Sequence, residues 1–283
     1  VVPKCAHPWA DEVRRGALAQ ARLLSDQLGA DVVVDFLAPT VAGAAEQNSV
    51  LESAATTGPD GIAVDPVEAV GNMPAIRSMR QRGMPVVLFD SPSPEPGITG
   101  VGNDFAQQGS LAARRLVGLI RGEGKVAVMR GFPSAPNHRE RYEAEVAELQ
   151  RHPGISIVDG GTDNDDIATA EREATAVLTA NPDLRGYLCC DAAGPIGIAR
   201  AIRTAGKAGK VAFVGMDAIR PILEFVKEGI IESSVATIPA MQGSMAILML
   251  WQASLGVPIP QRVDTGIDLV TRENVDSFLA RAG

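Results

Sequence analysis

The chain has 283 residues, of which 46% are apolar, 21% charged and only 4% aromatic. That length suits one large domain or two medium ones, and the composition excludes a disordered, collagen-like or disulfide-scaffold chain. Lys and Arg number 26 against 34 Asp and Glu, a net charge of −8, and the longest basic patches are Arg14-Arg15 and Arg114-Arg115, so there is no basic stripe for a nucleic-acid backbone.

Taken in chain order, the sequence opens on Val1-Val2-Pro3 with no basic segment, apolar segment or cleavage site. Alone, this reads as a cytoplasmic start or as one from which a leader has been removed. A helix is predicted over 11–28, where Val13, Ala17, Ala21, Leu24 and Leu28 share one face and Gly29 supplies the stop. A strand follows at 32–36, then a strand at 61–64, a helix at 72–82 and a strand at 85–89. The next helix, 107–120, places Ala112, Leu116, Leu119 and Ile120 together. Strands at 125–129, 155–158, 186–190, 210–214 and 233–237 then alternate with helices at 137–151, 167–180, 195–205 and 219–227. Trp251 lies in a long apolar helix and reads as core.

The strands are short Val/Ile-rich runs without polar alternation, as in a parallel sheet covered on both faces. Their regular alternation with helices predicts an α/β fold of doubly wound sheets. No apolar run reaches the roughly 18 residues that cross a bilayer. The three cysteines, Cys5, Cys189 and Cys190, have neither disulfide-framework nor zinc spacing and read as small buried side chains.

An internal echo divides the chain. Gly-Met-Pro-Val-Val-Leu-Phe-Asp ends at Asp90, and Gly-Lys-Val-Ala-Phe-Val-Gly-Met-Asp ends at Asp217. Earlier in each half, Asp65 and Asp191 close other strands. Two similar lobes follow, each with carboxylates at strand C-terminal ends, the ends that face the ligand crevice in open α/β sheets. Two such lobes would enclose a cleft.

The dinucleotide and phosphate-loop glycine patterns, the Gly-x-Ser-x-Gly elbow and His-Glu-x-x-His are all missing, and His7, His138 and His152 are scattered. No nucleophile with a base stands out, so an enzyme is not expected, and neither a cofactor nor a metal is implied. Asp90, Asp191 and Asp217, with Lys4, Arg141 and Trp9, instead suit a neutral polyhydroxy ligand. Hydroxyls donate to carboxylates and accept from Arg or Lys, while a C–H face stacks on a ring. Other readings stand beside this one. Each Asp could be a helix N-cap, His7 could cap its helix, and Trp9 could be a surface anchor. Arg141 could pair with Glu145 one turn on. His138 and His152 read as surface residues, and Asp163, Asp165 and Asp166 as a solvated acidic loop.

From Pro3-Lys4-Cys5-Ala6-His7-Pro8-Trp9 onward, the chain resembles the type I periplasmic (solute) binding proteins of ribose-type ABC sugar and polyol importers. The matching stretches are Pro59-Asp60-Gly61-Ile62-Ala63-Val64-Asp65-Pro66, 83–90, Val101-Gly102-Asn103-Asp104, Asn137-His138-Arg139-Glu140-Arg141, 190–197 and Val214-Gly215-Met216-Asp217. The resemblance implies two Rossmann-like doubly wound lobes joined by three crossings, near Asp104, Thr237 and Thr265, with the ligand cleft between them. The first lobe would be 1–104 plus 238–264, the second 105–237 plus 265–283.

The resemblance also implies site residues. His7 stands where the family has Asn, and Trp9 at the stacking aromatic, with Ala10 at the usual second ring. Lys4 matches some branches, Asp90 the hydroxyl-binding Asp, and Ser91 replaces a frequent Arg. Arg141 matches the ligand-clamping Arg. Asn164 and Asp165 fall where a second stacking aromatic is usual. Asp191 takes an Asn/Asp position, Asp217 is matched with Met216 before it, and Thr237 replaces a Gln.

With one confident ring, an acyclic polyol such as a tetritol or pentitol is expected, or a pentose. A small diol-rich signalling molecule is a lesser option. Asp90, Asp191 and Asp217 against Arg141 and Lys4 disfavour phosphorylated or acidic sugars. The implied protein is a monomer in the periplasm or at the outer face of the cell membrane, secreted or lipid-anchored, that hands its ligand to a membrane permease. The rivals are the effector domain of a LacI-type transcriptional regulator, which would carry a helix-turn-helix, a sensory ectodomain, and a two-lobed α/β enzyme, which no nucleophile–base pair supports.

Overall fold

The computed structural model describes residues 1–93 and 95–281. In chain order the first elements are α1 (Pro8–Leu28), α2 (Ala44–Thr56), β1 (Ile62–Val64), α3 (Ala69–Gln81), β2 (Val86–Phe89) and β3 (Thr99–Gly102). Next come α4 (Phe105–Ile120), β4 (Gly124–Arg130), α5 (Pro136–Leu149), β5 (Ile155–Thr162), α6 (Ile167–Ala180), β6 (Leu184–Cys189) and α7 (Gly194–Thr204). The last are β7 (Ala212–Met216), α8 (Arg220–Glu228), β8 (Ser233–Ala236), α9 (Pro239–Ser254), β9 (Arg262–Asp264), β10 (Asp268–Thr271) and α10 (Val275–Leu279).

Local chemistry sets the helix ends. Pro8 sits at the start of α1, where its missing N–H costs nothing, and His7 Nδ1 accepts from Trp9 N–H at 3.1 Å. Gly29 closes the helix at φ 63°. Asp104 caps α4 by accepting from Gln107 N–H at 2.8 Å, and Asp166 caps α6 through Thr169 N–H at 2.7 Å.

The chain forms two compact units. Unit 1 comprises 1–103, 134–136 and 238–266, and unit 2 comprises 104–133, 137–237 and 267–283. The sheet of unit 1 runs β1-β2-β3-β9 with every pairing parallel, and Val2 adds a parallel bridge to Val64. Its core gathers Leu51, Ile62, Val64, Ile76, Met79, Leu88 and Ile98. Helices α1 and α9 pack almost backbone to backbone: a Cβ on Gly16 would stand 1.8 Å from Ala240 O, and one on Gly243 2.1 Å from Val13 O. Only glycine permits that approach.

The sheet of unit 2 runs β10-β8-β7-β6-β4-β5, all parallel except the β10–β8 pair. Leu116, Ile120, Val126, Val128, Leu188, Val214 and Met216 fill its core. Helices cross between parallel strands in both units, so the fold is the doubly wound α/β type that the sequence pattern implies.

Some sequence expectations change. Residues 32–36 are not a strand. Their backbone meets Val1, whose ammonium donates to Asp35 O at 2.7 Å and whose O accepts from Leu37 N–H at 2.9 Å, and Val32 N–H donates to Ser25 Oγ at 3.1 Å; contacts so short make no ladder. Strands β3, β9 and β10 and helices α2 and α10 were not legible. Trp251 is half-buried rather than core, packed against Ala17, Leu24 and Ile247. His138 is not on the surface; it is 5% exposed. Cys189 and Cys190 are buried as expected, while Cys5 is half-buried.

Candidate ligand-binding residues

In unit 1, the loops after the strands of the sheet gather charge in a buried place. Lys4 Nζ donates to Asp65 Oδ1 at 2.7 Å and Oδ2 at 2.8 Å and lies 3.7 Å from Asp90 Oδ2. Ser91 Oγ donates to Asp65 Oδ1 at 2.9 Å. All four side chains are buried. Burial pushes the Asp65 carboxyl up to about 7 against the pull of the Lys4 ammonium, with the Asp90 charge adding to the rise. Asp90 follows β2, donates its N–H to Val101 O at 2.9 Å and accepts from Gln242 Nε2 at 3.2 Å. Gln47, wholly buried, ties the first loop to the end of β1: its Nε2 donates to Pro3 O at 2.9 Å and Asp65 O at 2.7 Å. Trp9 is buried in the first turn of α1, and His7 spends its Nδ1 as that helix's cap.

In unit 2, Arg141 on α5 is 2% exposed. Its Nε donates to Gln108 Oε1 at 2.7 Å, its Nη1 donates to Cys190 O at 3.3 Å, and its guanidinium lies 4.9 Å from the centre of the Phe105 ring. Gln108 in turn donates to Val235 O at 2.9 Å. Helix α4 can approach this far because a Cβ on Gly109 would meet Arg141 O at 2.3 Å. Neither oxygen of the fully buried Glu145 accepts a hydrogen bond from a described residue, so the one-turn pairing with Arg141 is not made by hydrogen bond. Burial pushes that carboxyl well up, against the pull of Arg141.

Asp217 follows β7 and accepts from Thr237 Oγ1 at 2.5 Å and from Thr237 N–H at 3.3 Å. Asp191 follows β6 and accepts from Gly194 N–H at 3.0 Å, at the start of α7. The acidic loop after β5 is not simply solvated. Asp163 is wholly buried and accepts from Asp165 N–H at 2.9 Å, Asp165 is half-buried, and Asn164 is exposed. Asp166 alone keeps the ordinary role of an exposed helix cap.

Backbone strain marks the same places. Among the described residues, the non-glycine positions with positive φ are Asp90 (48°), Arg121 (59°), Asn164 (54°), Asp165 (58°) and Asp217 (66°). Arg121 ends a helix; the other four are candidate ligand-binding residues in strand-end loops. Such conformations cost about 1–3 kcal/mol each and persist where the surroundings hold them for a purpose. Within unit 1 the fold brings Lys4, Asp90 and Ser91 together around Asp65. Within unit 2 it pairs Asp217 with Thr237 and sets Arg141 against the backbone beside Asp191. Sequence reading passed over Asp65, Gln47, Gln108, Asp163 and Gln242 as site residues. Asp65 had a signal, since it directly follows a predicted strand; the strand before Asp163 runs on to Thr162, past the 155–158 that the sequence pattern gives.

Parallel α/β units with buried carboxylates after their strands are a scaffold suited to holding a small polar molecule. Comparison with known proteins makes this specific. The family described as the periplasmic binding protein domain matches residues 1–256. A D-ribose/D-allose-binding protein of Pseudomonas aeruginosa is 25% identical over 236 residues, covering 80% of this chain and 74% of the relative. A xylitol-binding protein of Mycolicibacterium smegmatis is 24% identical over 185 residues, 65% of this chain and 53% of the relative. The crystal structure of an ABC transporter solute-binding protein from Burkholderia graminis, in complex with D-arabinose, superposes with a TM-score of 0.91 at 27% identity, covering 98% of this chain and 95% of that one. The chain belongs to the periplasmic binding protein family, as a type I solute-binding protein of the ribose-type sugar and polyol ABC importers. It is a binding protein and not an enzyme.

Proposed function

We propose that the protein captures a small neutral polyhydroxy ligand outside the cytoplasm, a tetritol or pentitol in the first place and a pentose in the second, and delivers it to the membrane permease of an ABC importer. The observation that carries this reading is the repeated strand-end carboxylate. Asp90 after β2 and Asp217 after β7 hold left-handed backbone, with φ of 48° and 66°, in the two units. Strand C-terminal ends are where α/β sheets meet their ligands, and a carboxylate there accepts hydroxyl protons. Lys4 in unit 1 and Arg141 in unit 2 are the hydrogen-bond donors of this reading, and Trp9 its apolar face. Ser91, Asp191 and Thr237 complete the polar set, with Asn164 and Asp165 at its margin and His7 placing Trp9 through the α1 cap.

The acyclic preference follows from what stands at the other ring positions. Ala10 and Met216 are buried and Asn164 is exposed, so among the candidate positions Trp9 alone offers an aromatic face. A flat pyranose gains most from two rings, whereas an extended polyol satisfies more hydroxyls with polar groups. The buried acids outnumber the buried cations, which disfavours anionic sugars. Binding a ligand at a hundredfold excess over its Kd stabilises a protein by about 2.7 kcal/mol, several degrees in midpoint. A thermal-shift panel of tetritols, pentitols, pentoses, hexoses and phosphorylated sugars tests the reading. Acyclic polyols are expected to give the largest shifts, and a response confined to phosphorylated sugars overturns it.

A further inference from the structure

The buried acids of unit 2 form a pair that the strand-end pattern does not anticipate. Asp163 and Asp191 are 0% and 1% exposed. Each has one oxygen accounted for, Asp163 Oδ1 by Asp165 N–H and Asp191 Oδ1 by Gly194 N–H. Each has the other, Oδ2, without an N–H or O–H donor among the described residues. The two side chains converge at the start of α7. A Cβ on Gly194 would stand 2.6 Å from Asp191 Oδ1 and 3.2 Å from Asp163 Oδ2. Asp163 Oδ2 and Asp191 Oδ1 are thus brought close together at the start of α7. Two buried carboxyls so near each other repel when both are charged, which favours a proton on one of them.

The surroundings favour keeping it. Asp165 and Asp166, on the loop after β5, add further negative charge beside the pair. From β6 and its end come the Cys189 and Cys190 thiols, which burial keeps in the neutral form. From α5 come Glu145 and His138, whose Nδ1 accepts from Phe132 N–H at 2.9 Å, and Arg141, whose Nη1 donates to the Cys190 carbonyl at 3.3 Å. Helix α7 contributes the Gly194 N–H. Burial and neighbouring negative charge hold Asp191 well above the usual carboxylate range and push Asp163 up to about 7.

We propose that Asp163 is a positioning residue: it shares a single proton with Asp191, and Asp191 engages a ligand hydroxyl only while that proton is present. Ligand capture is then linked to pH. This rests on the function proposed above, and it adds a residue to it that touches no ligand. A polyol hydroxyl both donates and accepts, so it can meet Asp191 by accepting when the shared proton sits there, or by donating when the proton sits on Asp163. A doubly ionised pair repels itself and moves Asp191 out of place.

The test is the Kd of the best polyol, by calorimetry from pH 5 to 9, for the wild type, Asp163→Asn and Asp191→Asn. Wild-type affinity is expected to be flat at low pH and to fall about tenfold per pH unit once the shared proton is lost. Asp163→Asn should bind across the whole range with a flat profile, and Asp191→Asn should bind more weakly, also with a flat profile. Parallel profiles for the wild type and Asp163→Asn overturn the proposal. If no polyol binds any form, the function proposed above has failed, and thermal midpoints of the ligand-free proteins decide the proton. A wild-type midpoint that falls more steeply than that of Asp163→Asn from pH 5 to 8 supports sharing; equal slopes overturn it. Should Asp163→Asn not fold, the wild-type and Asp191→Asn profiles carry the same comparison.

Discussion

The two units place carboxylates alike and satisfy them differently. Unit 1 neutralises its pair with a cation: Lys4 lies 2.7 Å from Asp65 and 3.7 Å from Asp90, and Ser91 adds a hydroxyl. Unit 2 sets Asp163 beside Asp191 with backbone N–H donors, while Arg141 donates to Gln108 and to the Cys190 carbonyl. The lesson is that a strand-end Asp is not one kind of group. Beside a buried ammonium its charged form has a partner, although burial still raises it; beside another acid, burial and the neighbouring charge both raise it.

The sharpest way to break the comparison is to remove the cation of unit 1. Lys4→Met leaves Asp65 buried with only Ser91, and stability should fall by about 3–5 kcal/mol in urea unfolding. A second carboxyl change, Asp65→Asn, should restore part of that loss, whereas no restoration would show that Lys4 acts through packing. Next in size is affinity: Asp90→Ala should weaken polyol binding by about 2–4 kcal/mol in calorimetry, because a ligand hydroxyl and Gln242 both lose their acceptor. Thr237→Val removes the 2.5 Å bond that orients Asp217 and should cost about 1–3 kcal/mol of binding.

A pH scan sharpens the contrast further. Asp65 and Asp163 both stand at about 7 in the folded protein, above the ordinary value of 3.8. A raised carboxyl contributes stability that is full below its unfolded value and lost as pH rises through its folded value. Between about pH 4 and 7, Asp163→Asn should therefore lose stability less steeply than the wild type, by at most about 1.4 kcal/mol per pH unit. Arg77→Ala sits at the other extreme. It breaks an exposed pair with Glu95, and the thermal midpoint should not move measurably.

Much of the fold was legible because two periodicities were clean. Helix α6 occupies 167–180, the span its pattern gives, and each Val/Ile-rich run from 61 onward became a strand. The unread elements lack that signal. Strand β3 is Thr-Gly-Val-Gly, β9 is Arg-Val-Asp at a sheet edge, and α2 has a weak apolar face. Residues 32–36 fail in the opposite sense: the Val-rich pattern is present, but their bonds to Val1 do not extend into a ladder among the described residues. Among candidate site residues, Asp90 and Asp217 stood out from their repeated strand-end setting. Asp163 did not, because an Asp-Asn-Asp-Asp run looks solvated, and only the fold turns its first member inward. His138 misled likewise, as a polar residue that α5 carries to a buried position.

The most direct test of the central claim is calorimetry of the purified protein with a tetritol, a pentitol, a pentose and a phosphorylated sugar at one pH below 7. Saturable one-to-one binding of a neutral polyol or pentose, abolished or strongly weakened in Asp90→Ala, is the predicted result. Binding of none of the neutral compounds, or binding of the phosphorylated sugar alone, would contradict the account.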